Sequence, residues 1–148
     1  MKRLNMDQLY AMLSCENSES EQKKARNIAS KLKMLYPLFQ PIEDKGVWEN
    51  CALVIAEKSD ETLETYLFLL LEWLQDINWP GAFIILDRLK KYAKVERLAT
   101  VVDICVKEAV AKDDEMWLHW LSGLLDNEGL KAELSNEISE ILQKHYHI

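Results

Sequence analysis

Apolar residues recur every three or four positions along almost the whole chain, and no stretch alternates apolar with polar over the length of a strand. The pattern therefore predicts helices throughout. A first helix is expected over about 5–14. A second is expected over about 19–39, with Ala25, Ile28, Leu32, Leu35 and Phe39 on one face and Lys23, Lys24, Arg26, Lys31 and Lys33 off it. Pro37 kinks or ends that helix, and Pro41 closes the connection. Gly46 precedes a third helix over about 47–58, with Trp48, Cys51, Ala52 and Ile55 inward. The fourth starts at Ser59 or Asp60, with Asp60, Glu61 and Glu64 in its first turn, where the helix dipole favours anions. From Leu63 to Leu74 it is apolar nearly all round, so burial on both sides is expected.

A fifth helix is expected over about 79–92, on Ala82, Ile85, Leu86 and Leu89, and a sixth over about 95–112. Asp113, Asp114 and Glu115 open a seventh over about 114–126, which packs through Trp117, Trp120, Leu121, Leu124 and Leu125. Gly129 separates it from the last, where Leu130, Leu134, Ile138, Ile141 and His145 step by three or four. Short links and central helices with more than one apolar face point to layers of helix pairs, because a layered array buries its middle helices twice. The expectation is an all-α fold, a short HEAT-like array of antiparallel pairs with about eight helices; an irregular helical bundle is the alternative. One domain spans 1–148, with less typical N-terminal helices at 1–45 and a helical-repeat core at 46–148.

The stretch EWLQDINWPGA, residues 72–82, is the densest in distinctive side chains. Each has a structural job as a corner between two helices. Trp73 ends a buried helix, Asp76 and Asn78 bond backbone groups of the turn, and Trp79 packs against the joint. Asn78 is the expected N-cap, and Pro80 falls in the next first turn, where its missing N–H costs nothing.

Charge sharpens the picture. Residues 1–40 carry seven Lys/Arg against four Asp/Glu, and residues 41–148 carry eleven against twenty-one, so +3 and −10 give the net −7. An acidic body disfavours nucleic acid, whose phosphates need clustered cations, and suits a basic protein partner. The acidic helix starts, Asp60, Glu61 and Glu64 together with Asp113, Asp114 and Glu115, are the candidate partner-binding residues. The basic run Lys23–Lys33 reads as a solvated face, with RNA or peptide binding as the alternative. Four isolated glycines leave no phosphate-cradling loop. Glu72 and Asp76, at i and i+4, are the pair to suspect in an enzyme, although exposure to water is the simpler reading. His145 and His147 lie at i and i+2, a poor metal spacing on a helix, and His119 reads as a rim residue. Catalytic residues, cofactor and metal are therefore expected to be none. Cys15, Cys51 and Cys105 are far apart and read as buried free thiols. Asn5, Asp7 and Gln8 break the apolar run a signal peptide needs, and YLFLLLEWL is too short for a membrane span, so a cytoplasmic protein is expected.

Two segments carry a resemblance. LLEWLQDINWPGA, followed by KDDEMWLHWLSGLL, resembles a family of small bacterial helical proteins with a Leu-Leu-x-Trp-Leu-x-Asp-x-Asn-Trp-Pro signature and then Asp-Asp-x-x-Trp-x-x-Trp. The matching positions are Leu70, Leu71, Trp73, Leu74, Asp76, Asn78, Trp79 and Pro80, then Asp113, Asp114, Trp117 and Trp120, within residues 60–126. The resemblance implies a HEAT-like array and carries no activity, although some members are read as toxin-immunity proteins. Small size, acidic body and lack of a catalytic constellation lead to the same expectation. The chain would be an immunity protein, as in contact-dependent growth inhibition, that covers the active site or groove of a cognate, basic toxin domain such as a nuclease. A helical-repeat adaptor for peptide or RNA and an enzyme with scattered carboxylates are the alternatives.

Overall fold

The computed structural model of the protein describes residues 5–41 and 44–146, and among these it contains helices and turns and no strand. Helix α1 (Met6–Met12) begins with a capping box: Asn5 Oδ1 accepts from the Gln8 N–H, and Gln8 Oε1 accepts from the Asn5 N–H. Helix α2 (Glu19–Ala29) ends well before the expected Phe39. Leu32, Leu35 and Phe39 still turn toward the core, but from irregular backbone that leads into a 3₁₀ turn at Tyr36–Leu38. Pro37 stands in the first positions of that turn, where its missing N–H costs nothing, and lies eight residues beyond the end of α2.

Helix α3 (Trp48–Ala56) follows, then α4 (Asp60–Leu63), capped by Ser59, and α5 (Leu67–Glu72). The last two are one helix broken by a 3₁₀ turn at Glu64–Tyr66. It is not buried all round, as its apolar pattern implied: Phe68 is 37 % exposed. Helices α6 (Ala82–Lys90), α7 (Val95–Ala111) and α8 (Glu115–Ser122) follow the expected pattern with shorter ends. The single C-terminal helix expected is two, α9 (Glu128–Glu133) and α10 (Asn136–His145). Asn127 and Ser135 each accept the N–H three residues on, so each starts a helix, and Gly129 lies inside α9 instead of before it.

The helices stack in two rows. One row runs α2, α3, α6 and the 3₁₀ segment Gly123–Asp126; the other runs α5, α7, α9, and α10 folds back on α8. A single apolar core extends from Leu9 to Leu142, with Trp73, Trp117 and Tyr92 among its largest buried side chains. No helix among the described residues is long and apolar enough to cross a membrane.

The layers are also tied by polar side chains. The last carbonyls of a helix have no partner within it. Here a later element supplies one repeatedly. Lys58 Nζ donates to Ser30 O after α2 (2.5 Å), and Arg88 donates to Ala56 O and Lys58 O after α3 (3.1 and 2.9 Å). Trp117 Nε1 donates to Leu71 O of α5 (3.0 Å), and Asn127 Nδ2 donates to Leu89 O and Tyr92 O at the end of α6 (3.0 and 2.9 Å). Each bond runs from one element to another, so these carbonyls gain that partner only when the stack is assembled.

Candidate partner-binding face

The corner around residues 73–82 turns the chain from α5 into α6, and it differs from the expectation in two details. Trp73 is fully buried and its indole N–H donates to Pro80 O (3.1 Å). Asp76 Oδ1 accepts from the Asn78 N–H (2.9 Å), an Asx turn. Trp79 meets Trp48 edge to face, with centroids 6.0 Å apart. Asn78 is not the N-cap of α6, however, and Pro80 is not in its first turn. The helix starts at Ala82, and Gly81 occupies the cap position at φ 85. A Cβ at Gly81 would lie 2.7 Å from Ala52 Cβ and 3.1 Å from Trp48 O, so only glycine allows α6 this close to α3. Because the backbone is extended at Asp76, Glu72 and Asp76 do not share a helix face.

The two acidic helix starts are used within the chain. Asp60 accepts from Arg88 Nη2 (2.5 Å) and from the Ala93 N–H (2.8 Å). Burial pushes its carboxyl up, but these hydrogen bonds and the Arg88 charge outweigh burial and hold it below the usual carboxylate range. Glu61 pairs with Lys94 (3.9 Å), and Glu64 pairs with Arg97 (3.1 Å). At the other end of α7, Asp113 takes a left-handed φ of 53 and closes that helix. The Asp113 N–H donates to Val110 O and the Asp114 N–H to Ala109 O, the pairing of a Schellman motif. Asp114 caps α8 through the Trp117 N–H (3.1 Å), and Glu115 pairs with His145 Nε2 (2.6 Å). The two clusters sit at opposite ends of the 17-residue α7, about 25 Å apart along its axis, and do not form one patch.

Between them lies a face that the sequence reading missed. The pairs Glu61–Lys94 and Glu64–Arg97 show α4 and the turn after it running parallel to the start of α7 at an offset of 33 residues, and Glu72 beside Cys105 continues that offset along α5. The same offset puts Phe68 opposite Val101, just short of Ile104. Ile104 is 47 % exposed in the middle of the polar side of α7, next to Thr100 and Lys107. On the opposite flank of α7 an open groove of about 430 Å³ runs along the α9–α10 junction, lined by Glu96, Thr100, Asp103, Glu133, Ser135 and Ile138. Asp103 pairs with Lys107 (3.0 Å). Glu72, Glu96, Glu133 and Glu137 stand in no ion pair among the described residues. The available signal was an isoleucine out of phase with the apolar stripe of its helix.

The remaining candidates fall elsewhere. Arg26 is taken up by Asn50 and Glu19, while Lys31 and Lys33 lie beyond the end of α2, so the expected basic stripe is broken. His119 Nδ1 contacts His145 O (3.0 Å), and His147 lies outside the described residues. No group of three or more His, Cys, Asp or Glu among the described residues could hold a metal ion. Cys51 and Cys105 are buried, as expected, and each thiol is pushed up to about 12, by burial at Cys51 and by burial with Glu108 and Glu72 nearby at Cys105. Cys15 corrects the expectation: it is exposed, in the loop after α1.

Comparison with known proteins matches no curated protein and no solved structure. A family profile does match, over residues 48–147, from the first turn of α3 to the end of the array. The chain belongs to the family described as a domain of unknown function, DUF5071.

Proposed function

We propose that the protein is an immunity protein, which neutralises a basic bacterial toxin domain of the nuclease type by binding it directly and covering its active site or groove. The observation that carries this reading is the pair of carboxylates Glu96 and Glu133, in no ion pair among the described residues, that line the open groove with Asp103. Carboxylates free of internal partners can stand in for phosphates on a surface evolved to hold a nucleic-acid backbone, and their field steers the encounter. Acidic residues that already cap helices or hold Arg88, Lys94 and Arg97 contribute less, because a partner's cation would have to replace an existing bond.

Co-expression with the toxin domain encoded beside it, followed by co-purification and a growth assay, tests the reading. A stoichiometric complex with restored growth is expected. Absence of both overturns it.

A further inference from the structure

Resting on the reading of the protein as a binder of a basic partner, we infer that its docking element is the exposed pair Phe68 and Ile104. These act as apolar anchors for a basic amphipathic helix of the partner, whose cations lie along Glu96, Asp103, Glu133 and Glu137. The two side chains are 37 % and 47 % exposed on adjacent helices that run parallel. Interfaces draw most of their energy from a few apolar anchors ringed by polar groups, and an amphipathic helix presents such anchors at i, i+3 and i+4.

Charge decides among the exposed apolar patches. Phe83, 58 % exposed and edge-on to Trp120, makes a second patch with Met116. Around that patch Lys90 is paired with Asp126 and Glu115 with His145, and the carboxylate one turn on, Asp87, lies beside Arg88 and Lys91. It offers a basic helix less unopposed negative charge than the groove beside α7. The Phe68–Ile104 patch borders a groove whose carboxylates are mostly unpaired, and α7 itself forms one wall of both.

The test uses the full chain and needs no identified partner. An amphipathic peptide of lysine and leucine is titrated into isotope-labelled protein, with a glutamate–leucine peptide of the same pattern as control. Amide shifts are expected to cluster on α5, α7 and the start of α10, with the lysine peptide alone. In Phe68→Ala/Ile104→Ala protein the affinity is expected to fall at least about tenfold, the size of one hot-spot truncation. Glu96→Lys/Glu133→Lys is expected to weaken binding by a similar factor at low salt and by less at high salt. Phe83→Ala leaves it unchanged. All five positions are exposed, and the shift map on unmutated protein requires no variant to fold.

Shifts centred on Phe83–Trp120 or on α2, or full affinity in the double alanine variant, overturn the inference. With the toxin domain in hand the two proposals separate. A protective complex insensitive to Phe68→Ala/Ile104→Ala removes the docking site and keeps the immunity reading. No complex, with the peptide still mapped to this face, removes the immunity reading alone.

Discussion

Asn127 offers the strongest single test of how the layers are joined. Its side chain is 6 % exposed and makes three hydrogen bonds: Oδ1 caps α9 through the Leu130 N–H, and Nδ2 seals α6 through Leu89 O and Tyr92 O. Replacing it by alanine removes an N-cap, which costs about 1 kcal/mol. It also strands the buried Tyr92 carbonyl, at about 1 kcal/mol or more, while Leu89 O keeps the Tyr92 N–H (3.1 Å). The sum is about 2 kcal/mol, a large share of the roughly 5–15 kcal/mol a domain has. For a chain of this size that lowers the Tm by about 4–8 °C. Asn127→Ser keeps the cap and loses only the carbonyl bonds, so about 1 kcal/mol is expected.

Asn127→Asp is the decisive member. Aspartate caps a helix as well as asparagine and is favoured by the dipole. Here it would turn a carboxylate oxygen toward two carbonyls, and at neutral pH it should be at least as damaging as alanine. Urea unfolding followed by tryptophan fluorescence measures all three, with an unchanged m-value as the check that only stability has moved. If Asn127→Asp stays within about 0.5 kcal/mol of the parent protein at neutral pH, the cross-layer bonds are not what holds α6 to α9.

Four further outcomes follow from the geometry. Gly81→Ala combines a left-handed φ with a Cβ 2.7 Å from Ala52, and should cost about 3 kcal/mol in the same assay. Asp113→Gly relieves a left-handed aspartate at the negative end of α7 and should gain about 1 kcal/mol in stability without weakening the complex with the toxin domain; a loss of affinity would return Asp113 to the binding face. His145 is raised above its usual 6.5, first by the Ile141 carbonyl, then, against burial, by Glu115, with Lys144 opposing. A raised folded value means the protonated ring's contribution is complete below the unfolded value and lost as pH rises through the folded one. The Tm advantage over His145→Gln should therefore be large at about pH 5.5 and small at about pH 8.5, read by scanning fluorimetry. A thiol-reactive chromophore should label Cys15 alone in folded protein and Cys51 and Cys105 only on unfolding.

The fold was readable from the sequence wherever apolar spacing and burial carry the same information. Leu98, Val102, Cys105 and Ala109 of α7 all fall inward at the positions their spacing assigns. Reading failed where tertiary contacts override local pattern. Leu32, Leu35 and Phe39 keep a helical rhythm through a segment that is not α-helical, because the core draws their side chains in although α2 has ended at Ala29. The site was less readable. Acidic tripeptides at helix starts are conspicuous in sequence, yet Asp60, Asp114 and Glu115 are conspicuous because they bond within the chain. The unpaired carboxylates Glu96 and Glu133 lie on separate helices, and only the packing of α7 against the α9–α10 junction brings them to one groove.

The polar ties between layers give the chain a direction. In four cases the donor follows its acceptor in sequence: Lys58 after Ser30, Arg88 after Ala56, Trp117 after Leu71, and Asn127 after Leu89. During synthesis, α3 leaves the ribosome more than thirty residues ahead of the side chain that finishes it, and α5 must wait for an indole 46 positions downstream. A chain released early, after α7, would keep every residue of α5 and α6 and still lack the Trp117 indole and the Asn127 amide that bond their last carbonyls. A deletion from the other side, up to the start of α3, removes no donor of this kind, but it takes Leu13 O and Gln22 Oε1 from the buried Asn50 amide and Pro41 O from the Trp48 indole. The family profile begins at residue 48, so the part of the array it covers runs from acceptor to later donor throughout, while its first helix is the one that depends on what comes before.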